Sequence, residues 1–293
     1  MPLHPTTTKP AAALTAAALL LTLSACTPGP TPGTQRGSGP STTASGLPSS
    51  HVHGLSVNRE TDQVLLATHE GLFDVTKSPA TKIGGTNDLM GLTAPADQGV
   101  FYASGHPGPG SDLPNPMGLI RSVDGGKTWE QLSRQGESDF HALAATKSGI
   151  VAYDGTLQTS PDGKTWTPAT AGFVPAVLAG TPEGDTVLAT TRDGLQRSTD
   201  GGETWELNTT APMVQFVAFA SATEVIGVEP GGAVHYSTDA GTTWTRTGHI
   251  EGQVQAATAV TGAEGKPWIW AATTEGLVVS TDGGATFRAA DAA

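Results

Sequence analysis

The sequence predicts an all-β protein built as a six-bladed β-propeller, and three observations carry that prediction. One short phrase recurs five times: SVDGGKTW (Ser122 to Trp129), SPDGKTW (Ser160 to Trp166), STDGGETW (Ser198 to Trp205), STDAGTTW (Ser237 to Trp244) and STDGGATF (Ser280 to Phe287). Its aspartates, Asp124, Asp162, Asp200, Asp239 and Asp282, stand 38, 38, 39 and 43 residues apart. A period of that length marks one repeated supersecondary unit, and units that cannot bury their faces alone stack into an array or close into a ring. Ahead of each phrase lie further short apolar strands with Gly-containing turns; THEGLFDV (from Thr68), TRDGLQRS (from Thr191) and TTEGLVVS (from Thr273) are one segment repeated in three units. Finally, helical periodicity is nearly absent beyond the N-terminus, as an array of short strands requires.

Taken in order, the first 25 residues read as a signal peptide. Lys9 precedes an apolar run from Ala11 to Leu23, too short for a membrane span, followed by small residues and Cys26. Leu23-Ser24-Ala25-Cys26 resembles the bacterial lipobox, which implies a lipid on Cys26 and a place at the cell membrane on its extracytoplasmic face. Cys26 is the single cysteine of the 293 residues, so an internal disulfide is excluded and a lone exported thiol finds its explanation in the lipid. Residues 26–50 are then a lipidated cysteine and a Thr/Pro/Gly/Ser tether, a coil spanning on the order of 25–30 Å. Residues 51–293 form the propeller, with blades near 51–87, 88–136, 137–172, 173–211, 212–249 and 250–293. The first has the shared strand segment but lacks the phrase, so its closing turn is expected to be degenerate. How the last blade meets the first is left open by the sequence.

The phrase has its own chemistry. Asp-Gly-Gly suits a hairpin turn, because the carboxylate accepts backbone N–H groups and glycine supplies positive φ. Ser and Thr hydroxyls satisfy other loose groups at the turn. The closing Trp or Phe is an apolar plate to wedge between neighbouring sheets. One residue is missing from the second copy, which predicts a tighter turn. The phrase resembles the Asp-box, or BNR, repeat of sialidase-like and glycosyl hydrolase-labelled propellers. In that family these turns lie on the rim, away from the active centre, so the resemblance implies a fold and gives the boxes no catalytic role.

Function must come from elsewhere. All 27 acidic residues lie beyond residue 50 against 13 basic ones there, a balance that repels phosphate backbones and argues against nucleic acid as a partner. Blades one, two and three open with HVHGL, DLMGL and DFHAL. Superposed, they place His53, Met90 and His141 at one position and His51, Asp88 and Asp139 two residues earlier, on the same side of a strand. The turns between second and third strands, which reach the same face, add His69, Glu70, His106 and Met117. An insertion in blade two, Gly105 to Met117, sits where a lid over the channel would sit. The other blades offer no histidine at these places, and packing alone would not produce that asymmetry. Imidazole and thioether together suit a transition metal, copper above all or zinc. The expected ligands are His51, His53, His69, Met90, His106, Met117 and His141, with Asp88, Asp139 and Glu70 as further ligands or their partners.

Two alternatives use the same face. A glycoside hydrolase would draw its carboxylate pair from Asp88, Asp139 and Glu70. A sialidase in the strict sense is not expected: its Arg-Ile-Pro motif is absent, only Arg192 maps to the functional face, and Tyr102, Tyr153 and Tyr236 show no acidic partner in sequence. The other alternative is a scaffold that binds an envelope protein and breaks no bond. No phosphate loop, HExxH, paired cysteines or GxSxG is present.

Overall fold

The structure, a computed structural model, describes residues 46–290. The expected signal peptide, Cys26 and the tether up to residue 45 lie outside the described residues. Within them the chain folds into six four-stranded antiparallel sheets, each made of four consecutive strands from the channel outward. The innermost strands are Val52–Asn58, Asp88–Thr93, Ala142–Ala145, Val177–Ala179, Phe216–Phe219 and Val254–Thr261, and they contact one another in series. The sixth also touches the first, which completes the propeller ring. A 3-10 turn spans Ala263–Gly265, and among the described residues no helix is long and apolar enough to cross a membrane.

The boxes act as fasteners at the third-to-fourth strand turns. In the third copy Ser198 Oγ donates to Asp200 Oδ1 (2.7 Å) and accepts the Gly202 N–H (2.9 Å), while Asp200 Oδ1 accepts the Thr204 N–H (3.0 Å). Gly202 has φ 92°, and a Cβ there would come within 2.7 Å of Val151, so both the turn and the neighbouring blade demand glycine. The shortened second copy is indeed tighter: Thr165, three residues after Asp162, takes the place held four residues on in the others. Trp129, Trp166, Trp205, Trp244 and Phe287 each pack into an apolar cluster between two blades.

Blade one has another arrangement at its box position. Asp74 Oδ1 accepts the N–H of Thr76 (2.9 Å), and Thr76 Oγ1 accepts the N–H of Val64 (2.8 Å). The seam between blades six and one has no aromatic from a box. Instead Leu47, 6% exposed, packs with Val52, Phe73 and Val75 of the first blade and with Ala256, Ala272 and Leu277 of the last. The Ala80 N–H also donates to Gly46 O (3.1 Å). The expected tether through residue 50 is therefore corrected at its end: Leu47 is apolar and finds a core position, so packing begins before blade one.

Candidate metal centre

Three blades build the site with one local device. In His51-Val52-His53, Asp88-Leu89-Met90 and Asp139-Phe140-His141, the middle residue is buried and the two flanking it are polar or reach the channel. Phe140 is fully buried, stacked 4.8 Å from Trp166, and its N–H donates to Ser104 Oγ (2.9 Å), which pins Asp139 and His141 on either side. The strand register skips one residue at His53 and at Met90, and again at Gln255 in the last blade. Each skip is a β-bulge, which leaves that residue without a cross-strand partner and re-aims its side chain. His53 and Met90, re-aimed in this way, line both the channel and the cavity of about 970 Å³ at its mouth, as does His141, which needs no bulge.

The imidazoles converge. One nitrogen from each of His51, His53 and His69 lies within 4.8 Å of the others. His53 Nε2 is 3.2 Å from His69 Nδ1, and His69 Nδ1 is 2.8 Å from Asp88 Oδ2. Asp88 Oδ1 is approached by His53 Nε2 at 3.4 Å but is buried without a hydrogen bond. Next to this group, Asp139 Oδ2 is shared by His141 Nε2 (2.6 Å) and His106 Nε2 (3.1 Å), and Asp139 Oδ1 is likewise buried and unbonded. His106 Nδ1 pairs with Asn115 Oδ1 at 2.7 Å.

Electrostatics sort the histidines. Burial, reinforced by the imidazole of His69 and opposed by Asp88, holds His53 down to about 4, so its ring is neutral and able to ligate at neutral pH. The Asn115 hydrogen bond raises His106 despite its burial, with Asp139 and Asp88 adding to the effect.

Of the expected residues, five histidines, both aspartates and Met90 come together. Met117 does not: it is fully buried in the apolar cluster with Leu89, Phe101 and Ile120, because its N–H closes the insertion onto Gly105 O and turns the side chain inward. Glu70 is exposed, and its charge bears on Lys82, not on the imidazoles. The blade-two insertion is no lid over the channel. It folds back on its own blade, with Gly108 N–H donating to Asn87 Oδ1 (3.1 Å), and only Pro116 among its residues lines the mouth. Asn115 was not expected from the sequence, since the insertion has no counterpart in other blades.

The arginine and tyrosine positions speak to sialidase chemistry. Arg192 projects into solvent, its side chain 92% exposed. Tyr236 does have an acidic partner, donating to Glu224, which the sequence did not reveal. Burial and then the Glu224 carboxylate raise the phenol above its usual range, and the pair lies beside Ser237 at a box, outside the mouth lining.

Comparison with known proteins agrees with the architecture. Residues 196–207 match the BNR/Asp-box repeat. The fold is similar to the GH74 xyloglucanase from Xanthomonas campestris, with a TM-score of 0.58, 16% identity, and coverage of 83% of this chain and 39% of that one. It is similar to the GH74 enzyme of Niastella koreensis, with a TM-score of 0.55, 18% identity, and coverage of 82% and 37%. A third similar structure is the extracellular domain of the putative hybrid two component system BT4673 from B. thetaiotaomicron, with a TM-score of 0.51, 13% identity, and coverage of 82% and 33%. The chain thus spans well under half the length of these proteins, and the likeness is one of fold. No curated protein matches it in sequence.

Proposed function

We propose that this propeller binds a transition-metal ion, copper or zinc, at the mouth of its channel, with His51, His53 and His69 as ligands and Asp88 beside them. The observation that carries the reading is the convergence of three imidazole nitrogens within 4.8 Å next to a carboxylate oxygen that is buried and has no donor. A cation would satisfy that oxygen, and Asp88 would orient His69 as carboxylates orient metal-bound imidazoles. The same proposal sets the protein at the outer face of the cell membrane, anchored by lipid on Cys26; a Cys26→Ala variant recovered in the soluble fraction supports the anchor.

The deciding experiment is equilibrium dialysis of the purified protein against Cu(II) or Zn(II), followed by metal analysis. Wild type retains metal, and His53→Ala with His69→Ala weakens binding at this centre at least about tenfold. Wild type that retains no ion would end the reading.

A glycoside hydrolase is the second reading, favoured by the wide mouth and by Gln215, Gln253 and Gln255 in its lining from blades five and six, which suit sugar hydroxyls. It requires turnover of an aryl glycoside that Asp139→Asn abolishes and chelator leaves intact.

A further inference from the structure

The histidine face repeats one His–Asp contact at two blade junctions, and the repeat itself accounts for the pair. His69 and His106 occupy the same place in blades one and two, at the end of the second strand, His69 directly after it and His106 as its last residue. Asp88 and Asp139 occupy the same place in blades two and three, one residue before a buried apolar anchor. Across each of these two junctions the histidine of one blade meets the aspartate of the next, at 2.8 Å for His69 to Asp88 and 3.1 Å for His106 to Asp139. The bulged inner-strand position holds His53 in blade one and Met90 in blade two; His53 Nε2 lies 3.4 Å from Asp88 Oδ1, and Met90 lines the same cavity as Asp139 and His141. Beyond the repeat correspondence, His51 adds an imidazole to the first junction, and His141, the blade-three counterpart of His53 and Met90, adds one to the second.

Resting on the metal-binding reading, we infer that the site holds two ions, the second bound by His106, His141 and Asp139, with Met90 standing where His53 stands in the first. Three observations support this second centre independently of the first. Both Nε2 atoms converge on a single oxygen, Asp139 Oδ2, so one cation could replace the shared proton contacts. The other oxygen of Asp139 is buried with no donor, as is that of Asp88. Asn115 accepts from His106 Nδ1 and so fixes that proton, which leaves Nε2 as the ligating atom. A thioether in place of an imidazole makes the second centre the softer one, better matched to Cu(I), while the all-imidazole first centre suits Zn(II) or Cu(II).

The test is metal stoichiometry with the metal alone as probe. Purified protein is dialysed against Zn(II), or against Cu(I) under reductant, and metal per chain is measured for wild type, a His106→Ala/His141→Ala variant, the near-isosteric Asp139→Asn variant and a His53→Ala/His69→Ala variant. Unchanged thermal melting of Asp139→Asn guards against misfolding. Two ions in wild type, falling to one in each variant, are expected, and Met90→Leu should lower Cu(I) retention while leaving Zn(II) in place. One ion in wild type that survives His106→Ala/His141→Ala overturns the second centre and leaves the first intact. One ion lost in every variant also overturns it, in favour of a single mixed centre. No ion in wild type removes both readings together.

Discussion

His53 keeps only 8% of its side chain exposed and shares that small space with a second imidazole at 3.2 Å. Charging it there means desolvating a cation beside a neighbour that resists it, hence a folded value near 4 against 6.5. His106 lies on the other side of the same cluster with its shift reversed. In the metal-free protein, an NMR titration of the ring protons should show His106 taking its proton before His53, which follows near pH 4. The stability consequence has a definite sign. Between pH 6.5 and about 4 the unfolded chain binds a proton at residue 53 that the folded chain refuses, so stability falls as pH drops through that window. The difference amounts to roughly 3 kcal/mol at most, with no further dependence from this group below about pH 4. Urea unfolding at pH 7 and pH 5 should therefore show a smaller acid loss in His53→Asn than in wild type, and an equal loss would contradict the assignment.

Among the elements, the box turns allow a controlled comparison. Ser198 Oγ accepts the buried N–H of Gly202, whereas in the shortened second copy Ser160 Oγ makes only a 3.3 Å contact with Asp162. Ser198→Ala strands a buried donor and should cost about 1–3 kcal/mol, while Ser160→Ala should cost well under that, read from denaturant midpoints. Equal costs would mean that the hydroxyls do not hold these turns. Such turns, with the period of their aspartates, made the blades legible in the sequence, because a local rule repeats with every copy. The pairing of HVH, DLM and DFH was legible for the same reason: alternation around a buried residue survives translation from blade to blade. The bulges at His53 and Met90 were not, since they arise from how the inner strand meets its neighbour. Met117 and Asn115 fall in an insertion without a second copy, where no repeat could say which would face the core and which a histidine.

At the scale of the whole molecule, the weakest point of a ring is the seam where its ends meet. All four strands of the last blade come from Val254–Thr261 through Arg288–Ala289, so no strand is exchanged between the ends among the described residues. Five of the six junctions are wedged by a box aromatic; the sixth has Leu47. That side chain reaches the seam from outside the repeats, inserted between Phe73 and Val75 on one side and Leu277 on the other. It must offset there what Trp or Phe contributes elsewhere, and the first blade, which carries His51, His53 and His69, is one of the two walls it joins. Leu47→Ala should lower stability by about 2–4 kcal/mol through lost burial and the cavity left behind. The matched control Val174→Ala, 66% exposed at the mouth, should change it by less than about 0.5 kcal/mol. Because His51 and His53 follow Leu47 by a few residues on the same segment, opening the seam should also loosen the first centre. Leu47→Ala is then expected to reduce metal retention at His51, His53 and His69 while leaving that at His106, His141 and Asp139 unchanged. A variant as stable as wild type would show that the ring closes by some other contact.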